Sequence, residues 1–201
     1  MRVFLKLISY IFHPLFVPIA GSIAYFQITP KYSPEEIRNA ILLPIFILTV
    51  IIPIITYLIL KNLGLISTIF APSIKERKYP MYINLLLLLL VVYKVIPNNF
   101  IAELHFYFLG LIVASMTTLL LLLFKLKVSL HLLGMGSLFM FLVCLSIHFE
   151  INITIAVSIL TLFTGLVTTS RLYLEAHSKP ELLIGFLIGL VSQLMLVRFW
   201  L

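Results

Sequence analysis

Along most of this chain the apolar residues neither alternate with polar ones nor recur every three or four positions. They run in blocks of about 20, broken by short polar stretches. Seven blocks stand out, at roughly 3–27, 38–60, 81–97, 104–124, 130–148, 152–172 and 182–199, each near the ~20 residues a helix needs to cross a hydrocarbon core. The pattern predicts an all-α fold, a polytopic bundle of six or seven transmembrane helices. Connections between blocks are too short for a soluble domain, and no long repeat, low-complexity tract or linker interrupts them. Residues 1–201 therefore read as a single integral membrane domain. Arg2 and Lys6 precede the first block as they would in a signal peptide, but that block is too long, carries His13-Pro14 and Pro18, and is followed by further spans. It reads as a retained anchor helix.

Composition agrees: 62% of residues are hydrophobic, 10% are charged, and the mean hydropathy is +1.20. A multi-pass protein of the cell (inner) membrane is expected. The lone Cys144 lies inside an apolar block, so no intrachain disulfide forms and the residue reads as packing. Net charge is +7, yet no run of like charge is long enough to bind nucleic acid. Bilayer lipids with anionic head groups are the natural partners, and association of identical chains stays open.

Placement of the charges says more than their sum. Three polar clusters recur, "SIKERKYP" at 73–80, "KLKVSLH" at 125–131 and "SRLYLEAHSKPEL" at 170–182. Two predicted spans separate the first from the second, and two more separate the second from the third. An even number of crossings returns all three to one membrane face, where a site can be both dry-walled and reachable. Together they supply Lys75, Arg77, Lys127 and Arg171 as cations, Ser129 as a hydroxyl, and His131 and His177 as titratable groups. That inventory suits a phosphate: guanidinium forks match phosphate oxygens, lysine adds a point charge, and two imidazoles can serve as nucleophile or base and as acid. A metal hydrolase would want clustered carboxylates or a His-Glu-x-x-His pair, whereas only Glu76, Glu175 and Glu181 lie near the clusters. No metal or cofactor is expected. Ser129 and Ser178 stand where helices begin, so backbone N–H groups and the positive dipole end would also face the site.

These residues resemble the signatures of the type-2 phosphatidic acid phosphatase superfamily. Ser170-Arg171, five residues, His177, three residues and Glu181 match its third signature with glutamate in place of aspartate. "VSLH" at 128–131 is similar to the second, Pro-Ser-Gly-His, with Ser129 and His131 retained. "KERKYP" ends in Pro80 like the first, but Tyr79 stands where an arginine is usual. The likeness covers roughly residues 73–190 and leaves two extra helices before it. It implies a metal-independent phosphatase acting on a membrane lipid phosphate or pyrophosphate. His177 would attack phosphorus, Glu181 would hold its other ring nitrogen, and His131 would protonate the leaving group. Arg171, Ser129 and the basic residues at 75–77 would bind the phosphoryl oxygens, with Lys127 added for its nearness to Ser129.

Plainer readings exist for the same residues. Ser178-Lys-Pro-Glu181 has the form of a capping box, and the cations could snorkel at helix ends. His13, His105 and His148 match no signature and read as structural; Gly134-x-Gly136 and Gly185-x-x-x-Gly189 read as close helix packing. The rival function is a non-catalytic anion or lipid transporter or binding protein on the same scaffold. Two histidines favour the enzyme, since binding needs only cations. Lys/Arg bias puts the cluster face in the cytoplasm, while the resemblance implies the outer face.

Overall fold

The structure, a computed structural model, describes residues 1–67, 74–96 and 101–201, without the side chains of residues 74 and 75. Its helices are α1 (Arg2–Ile11), α2 (Val17–Ile28), α3 (Glu35–Phe46), α4 (Ile52–Asn62), α5 (Ile74–Leu90), α6 (Ala102–Leu123), α7 (Leu130–His148), α8 (Thr154–Tyr173) and α9 (Lys179–Val197). Wider π turns at Ile47–Ile51 and Val91–Val95 continue α3 into α4 and extend α5. Among the described residues, seven helical segments are long and apolar enough to cross a membrane, in the order the sequence predicts. The chain is a multi-pass membrane protein. Exposed leucines such as Leu43, Leu86, Leu120, Leu162 and Leu183 cover the outside of the bundle, where lipid is their solvent.

Two boundaries differ from the sequence expectation. Helix α5 begins at Ile74 and its spanning segment at Glu76, ahead of the expected 81, so "KERKYP" forms the opening turns of the helix. The first span is not one helix. Pro14 disfavours helical geometry at the residue before it, and His13 is extended at φ −65° and ψ 140°. A short 3-10 turn, Pro14–Phe16, then leads into α2, whose first turn accommodates Pro18.

The core lies where α2, α3, α6 and α7 meet, around Tyr107, Phe108, Phe141 and Ile45, all fully buried. Tyr107 stacks on Phe141 at 4.2 Å between ring centroids and donates its hydroxyl to the Val17 carbonyl at 2.8 Å. At the bundle end where α6 begins, buried Glu103 accepts hydrogen bonds from Lys31 and Tyr25 and lies 3.4 Å from His148 Nε2. His105 holds the Ile96 carbonyl at 2.7 Å. Both histidines thus tie the bundle together, as the sequence suggests.

Helices α7 and α9 approach until backbone meets backbone. A Cβ on Gly136 would lie 2.2 Å from the Phe186 carbonyl oxygen, one on Gly185 2.5 Å from that of Ser129, and one on Gly189 2.0 Å from that of Leu133. Small residues are what permit this in lipid, where close packing replaces the hydrophobic drive for helices to associate. Gly189→Ala should therefore force the helices apart and cost about 1–3 kcal/mol. Thermal unfolding in detergent checks this, with Gly165→Ala as the control, since a Cβ at Gly165 meets nothing within 4 Å.

Candidate active site

Helices α7 and α9 begin side by side: the Ser129 N–H donates to the Glu181 carbonyl at 3.1 Å. Their N-terminal N–H groups therefore point to one end of the bundle, which favours an anion there. Helix α8 delivers Arg171 to the same end in its last turn, and a tight reversal through Glu175, at φ 52°, swings the chain back to His177 and α9. The Ala176 N–H closes that reversal on the Arg171 carbonyl at 3.1 Å.

His177 is 8% exposed, and its Nδ1 lies 2.7 Å from Glu181 Oε2. A carboxylate accepts, so Nδ1 carries the hydrogen and Nε2 keeps its lone pair. The same oxygen takes the Ser178 N–H at 3.3 Å while the Ser178 side chain caps α9 in return. Capping and orienting, the two readings of Glu181, are thus one arrangement. Burial pulls the His177 imidazole down to about 4 against the raising bond from Glu181, and the Arg77 and Arg171 guanidiniums push the same way as burial. At neutral pH the ring is uncharged.

Two cavities meet at the cationic wall. The deeper one, about 150 Å³, is lined by Arg77, Arg171, His131 and His177 among apolar residues that include Pro18, Met81, Leu88 and Leu111. The other, about 330 Å³, is lined by Arg77, Arg171, Lys127, Arg2, Lys6 and Glu175. Arg77 and Arg171 border both. Lys127 is pushed below the usual lysine range by burial and then by those two guanidiniums. Arg171 is 6% exposed, donates from Nη1 to Ser9 Oγ at 3.3 Å, and has no hydrogen-bond partner for Nε among the described residues. A buried guanidinium with an unsatisfied N–H is where a phosphate oxygen would gain most.

The sequence-predicted residues are thus largely brought together. Arg77, Arg171, His131 and His177 share the deeper cavity, Lys127 faces the second, and Glu181 stands directly behind His177. The Lys75 side chain lies outside the described residues. Ser129 is fully buried and lines neither cavity; its Oγ accepts the Leu132 N–H at 3.5 Å and caps α7. Among the described residues no three His, Cys, Asp or Glu side chains gather in a metal-ligating group.

Sequence reasoning missed the contribution of the first span. Ser9 carries three contacts: its Oγ lies 2.7 Å from Ser170 Oγ and accepts from Arg171, and its carbonyl accepts from His131 Nε2 at 3.1 Å. Ser170 also donates to the Leu5 carbonyl at 2.6 Å. His13, which reads as structural in the sequence, lines the deeper cavity edge-on to His131, with ring centroids 5.4 Å apart. An ionisable residue inside a span was the available signal for His13; a serine in an apolar helix gives none. Comparison with protein-family models, curated proteins and solved structures finds no match to this chain.

Proposed function

We propose that this protein is a metal-independent phosphatase of the type-2 phosphatidic acid phosphatase kind, acting in the cell membrane on a lipid phosphate or pyrophosphate through a phosphohistidine. The observation that carries the reading is His177, uncharged, oriented by Glu181, and set in a buried cavity beside Arg77 and Arg171. An anion-binding protein needs the cations; it has no use for an imidazole whose free nitrogen is kept as a lone pair.

In the first step the Nε2 lone pair forms the N–P bond as the P–O bond to the lipid breaks, and the oxygen leaves with the electron pair and takes the Nδ1 proton of His131, which enters the step as the imidazolium. Water then attacks phosphorus, His131 recovers a proton, the N–P bond breaks, and inorganic phosphate departs. Arg77 and Arg171 neutralise the charge that gathers on the non-bridging oxygens. The apolar lining beyond them accommodates hydrocarbon, which is why a membrane lipid suits the cavity better than a soluble ester.

Detergent-purified protein given a panel of phosphatidate, phosphatidylglycerophosphate and polyprenyl diphosphate is expected to release phosphate from at least one. Turnover should persist in excess EDTA, and vanadate, which adopts five-coordinate geometry, should compete with substrate. Tight vanadate binding without phosphate release from any lipid would favour the transporter or binding-protein reading, and activity lost to chelator and restored by a divalent ion would remove the metal-free mechanism.

A further inference from the structure

Each of the three histidines lining the deeper cavity has one ring nitrogen fixed by the protein. His177 Nδ1 is held by Glu181 at 2.7 Å, and His131 Nε2 by the Ser9 carbonyl at 3.1 Å. His13 Nδ1 is held at 3.3 Å by the backbone N–H of Leu15, inside the 3-10 turn that Pro14 opens. The partners differ in kind, so the rings do too. A carboxylate and a carbonyl can only accept, and each leaves its histidine with an available lone pair. A backbone N–H can only donate, so His13 Nδ1 must be the bare nitrogen and its ring hydrogen must sit on Nε2. That Nε2–H has no acceptor among the described residues. Protonating the ring a second time would turn Nδ1 into a donor facing a donor, so the Leu15 contact keeps His13 uncharged, much as a helix start can keep an imidazole neutral.

We propose that His13 is a further catalytic residue, a neutral imidazole whose Nε2–H donates a hydrogen bond to a non-bridging oxygen of the phosphoryl group in transfer. The inference rests on the phosphatase reading above. His13 offers a bond and not a proton, because the Nε2 hydrogen is its only one and giving it up would leave an imidazolate. The leaving oxygen is therefore left to His131, whose second nitrogen can be protonated while Nε2–H stays on Ser9. His13 shares the wall of this cavity with Pro14, Pro18 and Pro53 and with the polar side chains of Thr56, Tyr57, Asn84 and Ser115. A fixed donor strengthens as charge builds on the oxygen. The resemblance to known signatures starts near residue 73, so the first span, with His13 and Ser9, would complete a site those signatures describe only in part.

The test compares His13→Ala and His13→Gln on two substrates, a lipid phosphate with a poor leaving group and p-nitrophenyl phosphate with a good one, beside vanadate affinity. Gln places an amide N–H near the position of His Nε2–H. Alanine is expected to lower kcat on both substrates by a similar factor, on the order of a hundredfold, and to weaken vanadate comparably. Glutamine is expected to recover at least about tenfold of each. A loss confined to the lipid substrate would make His13 a proton donor and overturn the proposal. So would a glutamine variant no better than alanine, which would leave His13 as a helix cap only. If the alanine variant does not fold, the glutamine variant is judged against wild type: vanadate affinity kept within about tenfold supports the donor role, and a larger loss overturns it. Should wild-type protein release no phosphate at all, the phosphatase reading fails, and the Ala/Gln contrast in vanadate binding still decides whether His13 donates to a phosphate-like oxygen.

Discussion

His177→Ala should abolish phosphate release, by roughly 10⁴-fold or more, while the protein remains folded and inserted. The size follows from the absence of a substitute. His13 has its lone pair committed to Leu15, His131 has Nε2 on the Ser9 carbonyl and its Nδ1 assigned to the leaving-group proton, and Arg77 and Arg171 hold no nucleophilic pair. Folding should survive because the His177 side chain makes its one hydrogen bond to Glu181, which keeps its second bond to Ser178 as a cap. Rapid acid-free quenching of wild type should trap an acid-labile phosphoprotein, absent in the variant. The pH dependence carries a further mark of the same group. An ordinary imidazole titrates near 6.5, whereas His177 sits at about 4, so kcat/KM should hold as the medium is acidified through pH 6 and fall only on approach to 4. Stability moves the same way: the unfolded chain gains a proton near 6.5 that the folded site refuses until about 4, so acid erodes stability across that window. The variant should lose that part of the acid sensitivity. Retention of most wild-type turnover by His177→Ala would remove it as nucleophile.

How much of this could be read from the sequence differs between fold and site. The spans are legible because lipid imposes one rule on every residue of a segment, so unbroken apolar blocks suffice and neighbours need not be known. Convergence of the three polar clusters is legible by counting crossings, which needs topology but no distances. What fails is anything decided by packing between distant helices. Pro14 announces a break in the first span, but that the break turns His13 toward His131 depends on how α1 lies against α8 and α2 against α7. Ser9 bonds Ser170 and Arg171 across more than 160 positions, and no local pattern distinguishes it from a serine bonding its own helix. Ser129 is a further case: its signature match suggests a phosphate ligand, while what the fold displays is a fully buried serine capping a helix start, a role its sequence neighbours do not announce. Arg77 is brought to the cavity wall because the basic cluster is helical and so presents a defined face, which a loop would not guarantee.

Glu181→Gln should lower kcat by roughly 10²–10⁴-fold with little change in melting temperature. Both of its bonds run through a single oxygen, Oε2, which receives His177 Nδ1 at 2.7 Å and the Ser178 N–H at 3.3 Å. A glutamine carbonyl can accept both, so the cap survives. What it cannot supply is the negative charge that offsets the positive charge developing on the His177 ring as it bonds to phosphorus. The amide can also rotate and present its NH₂ to Nδ1, which would drive the ring hydrogen to Nε2 and block attack altogether. Glu181→Asp keeps the charge and should be the mildest change. Glu181→Ala removes cap and orientation together, and should add about 0.5–2 kcal/mol of lost stability to the kinetic defect. Steady-state phosphate release beside thermal unfolding in detergent separates the three variants. A glutamine variant with unaltered turnover would confine Glu181 to the helix cap and leave His177 without the partner that sets its tautomer.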